Sequence, residues 1–144
     1  MDLRRLRLGE WLAAAGGVLM IVSLLLPWYQ GASGYEALTV TDVLLTLIAL
    51  LALALTVLQA TRDSPALPVA AGVLTVAFGA VGVLLVVFRL IDDPFSGAEV
   101  RAGAWLGLFA ALAIVGGAWR SIASEYVEGL PPDVEPELRA TPAP

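Results

Sequence analysis

The chain contains no cysteine and no histidine, and all eight of its basic residues are arginine rather than lysine. Without cysteine there is no disulfide, no thiolate nucleophile and no cysteine-based zinc site. Without histidine there is no axial haem histidine and no Ser-His or Cys-His pair. The all-arginine bias fits a GC-rich coding sequence and carries no mechanism. A third scarcity is more informative: the long apolar runs hold no Asp, Glu, Lys or Arg near their centres. Proton-coupled transporters, ion pumps and voltage sensors keep ionisable groups at membrane depth despite a cost of about 2.5–3.5 kcal/mol or more. Small multidrug exporters of four spans use a membrane-embedded carboxylate, and the first run here has none. Gly79–Gly82 lies inside an apolar run with no adjacent Lys-Ser or Lys-Thr, which excludes a phosphate-cradling loop. No enzyme chemistry, no cofactor and no metal is expected. With a net charge of −5 and no basic face, neither is nucleic acid.

What is present is apolar side chain. Of 144 residues, 59% are hydrophobic, against about 45–50% in a soluble domain. The excess falls into runs of about the 20 residues a bilayer needs. The expected spans are about 9–28, 39–60, 67–91 and 100–119, the last continuing as helix to about 128. Pro27, Gly31 and Gly34 separate the first two spans, and Thr39 or Thr41 can cap the second, with Asp42 at the positive end of its dipole. Thr61–Ser64 is a tight connection, followed by Pro65 and Pro68 in an opening helical turn. Asp92-Asp93-Pro94-Phe95-Ser96-Gly97 is the third turn. With connections this short, neighbouring spans run antiparallel. The expected fold is an all-α membrane protein, an up-down bundle of four transmembrane helices over residues 1–128. Residues 129–144, acidic and proline-rich, read as a disordered cytoplasmic tail. Val134 and Leu138, four apart within it, could form a short docking motif, although a solvated tail is the plainer reading.

Arg4, Arg5, Arg7, Arg62, Arg120 and Arg139 fall on one side of this topology and Arg89 and Arg101 on the other, so the positive-inside rule puts both termini in the cytoplasm. The basic start followed by an apolar run also resembles a secretory leader. However, the run is longer than a leader's core of about 7–15 residues and ends in bulky Trp28-Tyr29, so an uncleaved span is expected.

Four sets of residues stand out. Gly103, Gly107 and Ala111 repeat every four residues and form the best helix-packing face, used within one chain or between two copies. Trp11, Trp28, Tyr29, Trp105 and Trp119 sit at span ends, as interfacial anchors do. Arg7–Leu12 and Arg101–Leu106 both read R-x-G-x-W-L and place Arg and Trp on one helical face. Asp42, Thr46, Arg89 and Arg101 gather at the outer end as a candidate polar cluster. Its sharp reading is an outer-leaflet pocket for an anionic headgroup or small solute, and its plain reading is a set of snorkelling, mutually paired interfacial charges.

Gly9-Glu10-Trp11-Leu12, Leu26-Pro27-Trp28-Tyr29, Thr41-Asp42-Val43-Leu44-Leu45 and Arg101-Ala102-Gly103-Ala104-Trp105-Leu106-Gly107 carry a resemblance. Through them the chain resembles a group of small four-span integral membrane proteins of actinobacteria that have no assigned activity. The resemblance covers all four spans and implies a plasma-membrane location, with no catalytic or ligand-binding residues to carry over. The expected role is a non-enzymatic accessory or scaffold protein of the envelope. Membrane lipids are its expected surroundings, with a membrane-protein partner or a second copy as candidate binding partners. The alternative is a binding or transport protein built on the outer polar cluster.

Overall fold

The computed structural model describes residues 8–61, 66–92, 97 and 99–128, with the side chains of 66–69 and 124–128 left aside. The tail 129–144, the connection 62–65, most of the third turn, and Arg4, Arg5, Arg7, Arg62 and Arg139 lie outside the described residues. Helix α1 spans Leu8–Leu25. A hairpin of β1 (Pro27–Tyr29) and β2 (Ala32–Ser33) follows, then the short helix α2 (Gly34–Ala37). The remaining helices are α3 (Val40–Thr61), α4 (Ala66–Ile91) and α5 (Ala102–Glu128). Four helices, α1 and α3 to α5, are long and apolar enough to cross a membrane. The 22 residues of α3 rise about 33 Å at about 1.5 Å each, a match to a hydrocarbon core of about 30 Å. The chain is the expected all-α four-helix bundle.

Each long helix packs on its sequence neighbours, and α5 returns against α1 to close the ring in the most extensive interface of the molecule. Small residues make that interface. Gly9, Ala13 and Gly16 of α1 face Ala110, Ile114, Gly117 and Ser121 of α5. A Cβ placed on Gly117 would lie 2.4 Å from the Ala13 nitrogen, and one on Gly16 would lie 2.9 Å from the Ala110 carbonyl oxygen. On the other side of α1, a Cβ on Gly17 would lie 2.9 Å from the Ala49 carbonyl of α3. The backbones therefore touch, which is how helices gain dispersion contact where lipid removes any hydrophobic drive to associate. Larger residues such as Leu84, Phe109 and Trp119 point outward, at 69%, 65% and 65% exposure.

Two expectations change at the end of the bundle where α1 leads into α3. The segment 30–38, expected as a plain loop, folds as a hairpin and a helical turn over the bundle. Gly31, at φ +87°, closes its two-residue connection in a conformation that costs glycine nothing. Tyr29 pairs with Val100, and the Arg101 amide donates to the Trp28 carbonyl at 2.8 Å, so the hairpin is stitched to the start of α5. Trp28 and Tyr29, expected as anchors at the water boundary, are instead enclosed, at 0% and 1% exposure. Inside they find carbonyl partners at helix ends that lack intrahelical donors. Trp28 Nε1 donates to the Ser23 carbonyl of α1 at 2.8 Å, and the Tyr29 hydroxyl donates to the Arg89 carbonyl of α4 at 2.5 Å.

The Gly103–Gly107–Ala111 face is buried within the chain, and its glycines have a specific use. Cβ atoms on Gly103 and Gly107 would lie 2.9 and 2.7 Å from the Trp28 indole, so these glycines form its socket. Ala111 is fully buried behind them. The other three tryptophans, Trp11, Trp105 and Trp119, stand exposed on the helix surfaces.

Candidate functional site

The first turn of α3 positions most of the expected polar cluster. Asp42 is 9% exposed and its Oδ1 accepts the Val43 amide at 2.8 Å, which satisfies one of the free donors at a helix start. Thr46, one turn on, donates to the Asp42 carbonyl at 2.8 Å and shares a 3.1 Å hydrogen bond with the Tyr35 hydroxyl. Thr41 does not cap the helix but accepts a hydrogen bond from half-buried Arg89 of α4 at 3.2 Å. Arg89 thus reaches the residue beside Asp42. Arg101 pairs with Glu99 at 3.4 Å, with both side chains well exposed. Among the described residues, no ion pair joins Asp42 to Arg89 or Arg101. The fold brings Asp42, Thr46 and Arg89 together with Tyr29, Tyr35 and Thr41, while Arg101 is exposed at the same end.

Glu36 marks the rim of this cluster. Its carboxylate accepts the Ser33 amide and the Ser33 hydroxyl, each at 2.8 Å. The amide bond first, and then the hydroxyl, hold the Glu36 carboxyl below its ordinary value of 4.5. A lowered folded-state value stabilises the turn above the ordinary carboxylate range, and that contribution is lost as pH falls through the lowered value. The Ser33 amide shift should therefore titrate below pH 4.5 in an NMR pH series. Glu36→Gln should flatten that titration.

The opposite end holds a second polar cluster that the sequence reading missed. Glu10, in the first turn of α1, is only 3% exposed, and Ser121 of α5 is 2% exposed. The Ser121 hydroxyl donates to Glu10 Oε1 at 2.6 Å, and Gln59 Nε2 of α3 approaches Ser121 Oγ at 3.4 Å. Thr56 Oγ1 donates to the Glu10 carbonyl at 3.3 Å and to the Ala52 carbonyl at 3.2 Å. Helices α1, α3 and α5 thus meet around Glu10. The signal was spacing: Glu10 shares a helical face with Ala13 and Gly17, and Ser121 lies one turn after Gly117, so the packing stripes carry the polar groups inward.

Between the two ends the interior is apolar, filled by residues such as Met20, Leu45, Ile48, Ala52, Val86 and Ile114. The hydroxyls buried there are satisfied by their own helices: Ser23 donates to the Met20 carbonyl and Thr75 to the Ala71 carbonyl, at 2.8 and 2.7 Å. Among the described residues no three carboxylates gather to hold a metal ion.

No family model, no curated protein and no solved structure matches this chain. Composition and fold define the class: a protein of four apolar, membrane-length helices closed by small-residue contacts.

Proposed function

We propose that the chain is a non-enzymatic multi-pass protein of the bacterial plasma membrane, an accessory or scaffold component of the cell envelope. Its N and C termini lie in the cytoplasm. The observation that carries this reading is the closed interior. Backbone meets backbone at Gly117–Ala13, Gly16–Ala110 and Gly17–Ala49, and between the polar clusters at the two ends the interior is apolar apart from hydroxyls bonded within their own helices. A bundle whose small faces are spent on itself presents large apolar side chains outward, toward lipid and toward the helices of a membrane partner. The orientation rests on the arginine distribution, and the bacterial plasma membrane on the resemblance to actinobacterial four-span proteins.

Purification in a gentle detergent, followed by mass spectrometry, tests the role. A stoichiometric membrane partner and no solute flux in proteoliposomes are expected. Flux catalysed by the chain alone would contradict the proposal. The missing cysteines make the orientation equally testable. Ser33→Cys should react with an impermeant thiol reagent on intact cells, and Ser64→Cys should be protected.

A second reading has one observation in its favour: among the described residues, half-buried Arg89 holds a neutral hydroxyl and no carboxylate. An anionic headgroup or small anionic solute would complete its charge pairing, with Arg101 nearby. In that case Arg89→Ala with Arg101→Ala would leave the fold intact and release a bound ligand.

A further inference from the structure

Helices α3 and α4, both of membrane length, are joined at one end by a charged side chain. Arg89 Nη2 of α4 donates to Thr41 Oγ1 of α3 at 3.2 Å. From that contact the two helices run side by side in matched register. Seven residues on from Thr41 in α3, and seven back from Arg89 in α4, Ile48 meets Gly82: a Cβ on Gly82 would lie 3.1 Å from Ile48 Cδ1. Beside this seam opens an apolar groove of about 350 Å³, lined by Leu44, Leu47, Ile48 and Leu51 of α3 and by Phe78 and Val81 of α4. Leu44 follows Thr41 by one helical turn, about 4.5 Å along the axis. The Arg89 guanidinium, held on the Thr41 hydroxyl, therefore stands about one turn from the near end of the groove, and Leu51 and Phe78 mark the far end. Among the described residues Arg89 has no carboxylate partner.

We propose that the α3–α4 groove, with Arg89 at its end, is a binding site for one anionic phospholipid, its phosphate on the guanidinium and one acyl chain in the groove. This rests on the second reading of function, in which Arg89 binds an anion, and specifies which kind of anion. With one N–H on Thr41, the guanidinium keeps further donors for phosphate oxygens. The groove carries no charged or polar side chain in its lining, so it takes hydrocarbon and offers a small polar solute nothing. Only an amphiphile that is anionic at one end uses both. Leu44, Leu47, Phe78 and Val81 are exposed, and on membrane-length helices such a surface faces lipid, so the acyl chain can enter from the side. Filling the groove and neutralising Arg89 are separable changes, so each contribution can be removed alone.

The test is native mass spectrometry of the full chain released from nanodiscs of equal phosphatidylglycerol and phosphatidylcholine. The wild type should retain one phosphatidylglycerol per chain in preference to phosphatidylcholine. Arg89→Gln should reduce that preference by about five- to tenfold, the effect of one arginine at an anionic surface, and Arg89→Lys should keep most of it. Val81→Trp, a change at an exposed lining position, should lower retention of both lipids by filling the groove. All three variants should keep wild-type helicity and size. Equal retention of the two lipids by the wild type, or a preference that survives Arg89→Gln, would overturn the proposal and the anion reading of Arg89 together. Undiminished retention in Val81→Trp would overturn the proposal alone. So would Arg89-dependent binding of sn-glycerol 3-phosphate, a headgroup without chains, that matches the lipid in strength, because Arg89 would then serve a free solute. A lipid-free dimer would assign the groove to a second copy and likewise overturn the proposal.

Discussion

Gly117→Val should cost about 3 kcal/mol or more, at or above the top of the range for overpacking a core. The reason is geometric. Any Cβ at residue 117 would sit 2.4 Å from the Ala13 nitrogen and 2.7 Å from the Gly9 carbonyl oxygen, and both obstacles are backbone. Helix α1 would have to move away from α5, and the interface that closes the ring would open. The Ser121–Glu10 hydrogen bond lies one turn further along the same face, so it should be lost in the same event. Gly116→Val is the matched control. It adds the same β-branched side chain to the same helix one residue away, where nothing lies within 4 Å of the new Cβ. It should cost only the small difference in helix propensity, about 1 kcal/mol or less in either direction. Unfolding of both variants in detergent, followed by circular dichroism, measures the contrast.

Trp28→Ala should cost about 3–5 kcal/mol, as expected when a large aromatic is deleted from a packed site. The indole is fully enclosed and rests on Gly103 and Gly107, whose missing side chains shape its socket. Deleting it leaves a cavity and strips the Ser23 carbonyl of its indole donor. It also loosens the stretch whose carbonyl receives the Arg101 amide, so the hairpin should detach from α5. Trp28→Phe keeps much of the volume and should recover most of the loss, leaving about 1 kcal/mol for the missing hydrogen bond. Trp119→Ala, at a side chain 65% exposed, should leave detergent stability nearly unchanged. An anchor at the boundary would give the same small effect at both positions, so the pair separates enclosure from anchoring.

Much of the fold was legible because the bilayer restricts it so strongly. Apolar runs of the right length, separated by Pro and Gly breaks, leave helices as the only spanning choice, and short connections force neighbours to alternate. The hairpin was not legible. Strands of two and three residues carry no periodic pattern, and Pro27-Trp28-Tyr29 reads the same whether it faces headgroups or folds inward. Its burial depends on Gly103, Gly107 and Val100, far away in the chain. Glu10 failed for a related reason. A carboxylate in the first turn of a helix is ordinarily a solvated partner of the dipole, and only the close approach of α5 takes it out of water. Similarly, Gly116 and Gly117 are adjacent glycines, and nothing local says which of them faces α1. Of the cluster beside the hairpin, the sequence placed Asp42, Thr46 and Arg89 at one end. The choice of Thr41 as the partner of Arg89, and of Glu99 as that of Arg101, follows from side-chain reach that spacing alone does not set.

The central claim is that one chain closes its own bundle by backbone contact between α1 and α5. The most direct measurement is the nuclear Overhauser effect between a Gly117 Hα and the Ala13 amide proton in nanodiscs, with labelled chains diluted about tenfold into unlabelled ones. The contact distance at Gly117 calls for a strong cross-peak that dilution leaves unchanged per labelled chain. A cross-peak that appears only between differently labelled chains would assign the small-residue face to a dimer. No cross-peak at all would mean that α1 and α5 do not meet there, and either result would contradict the account.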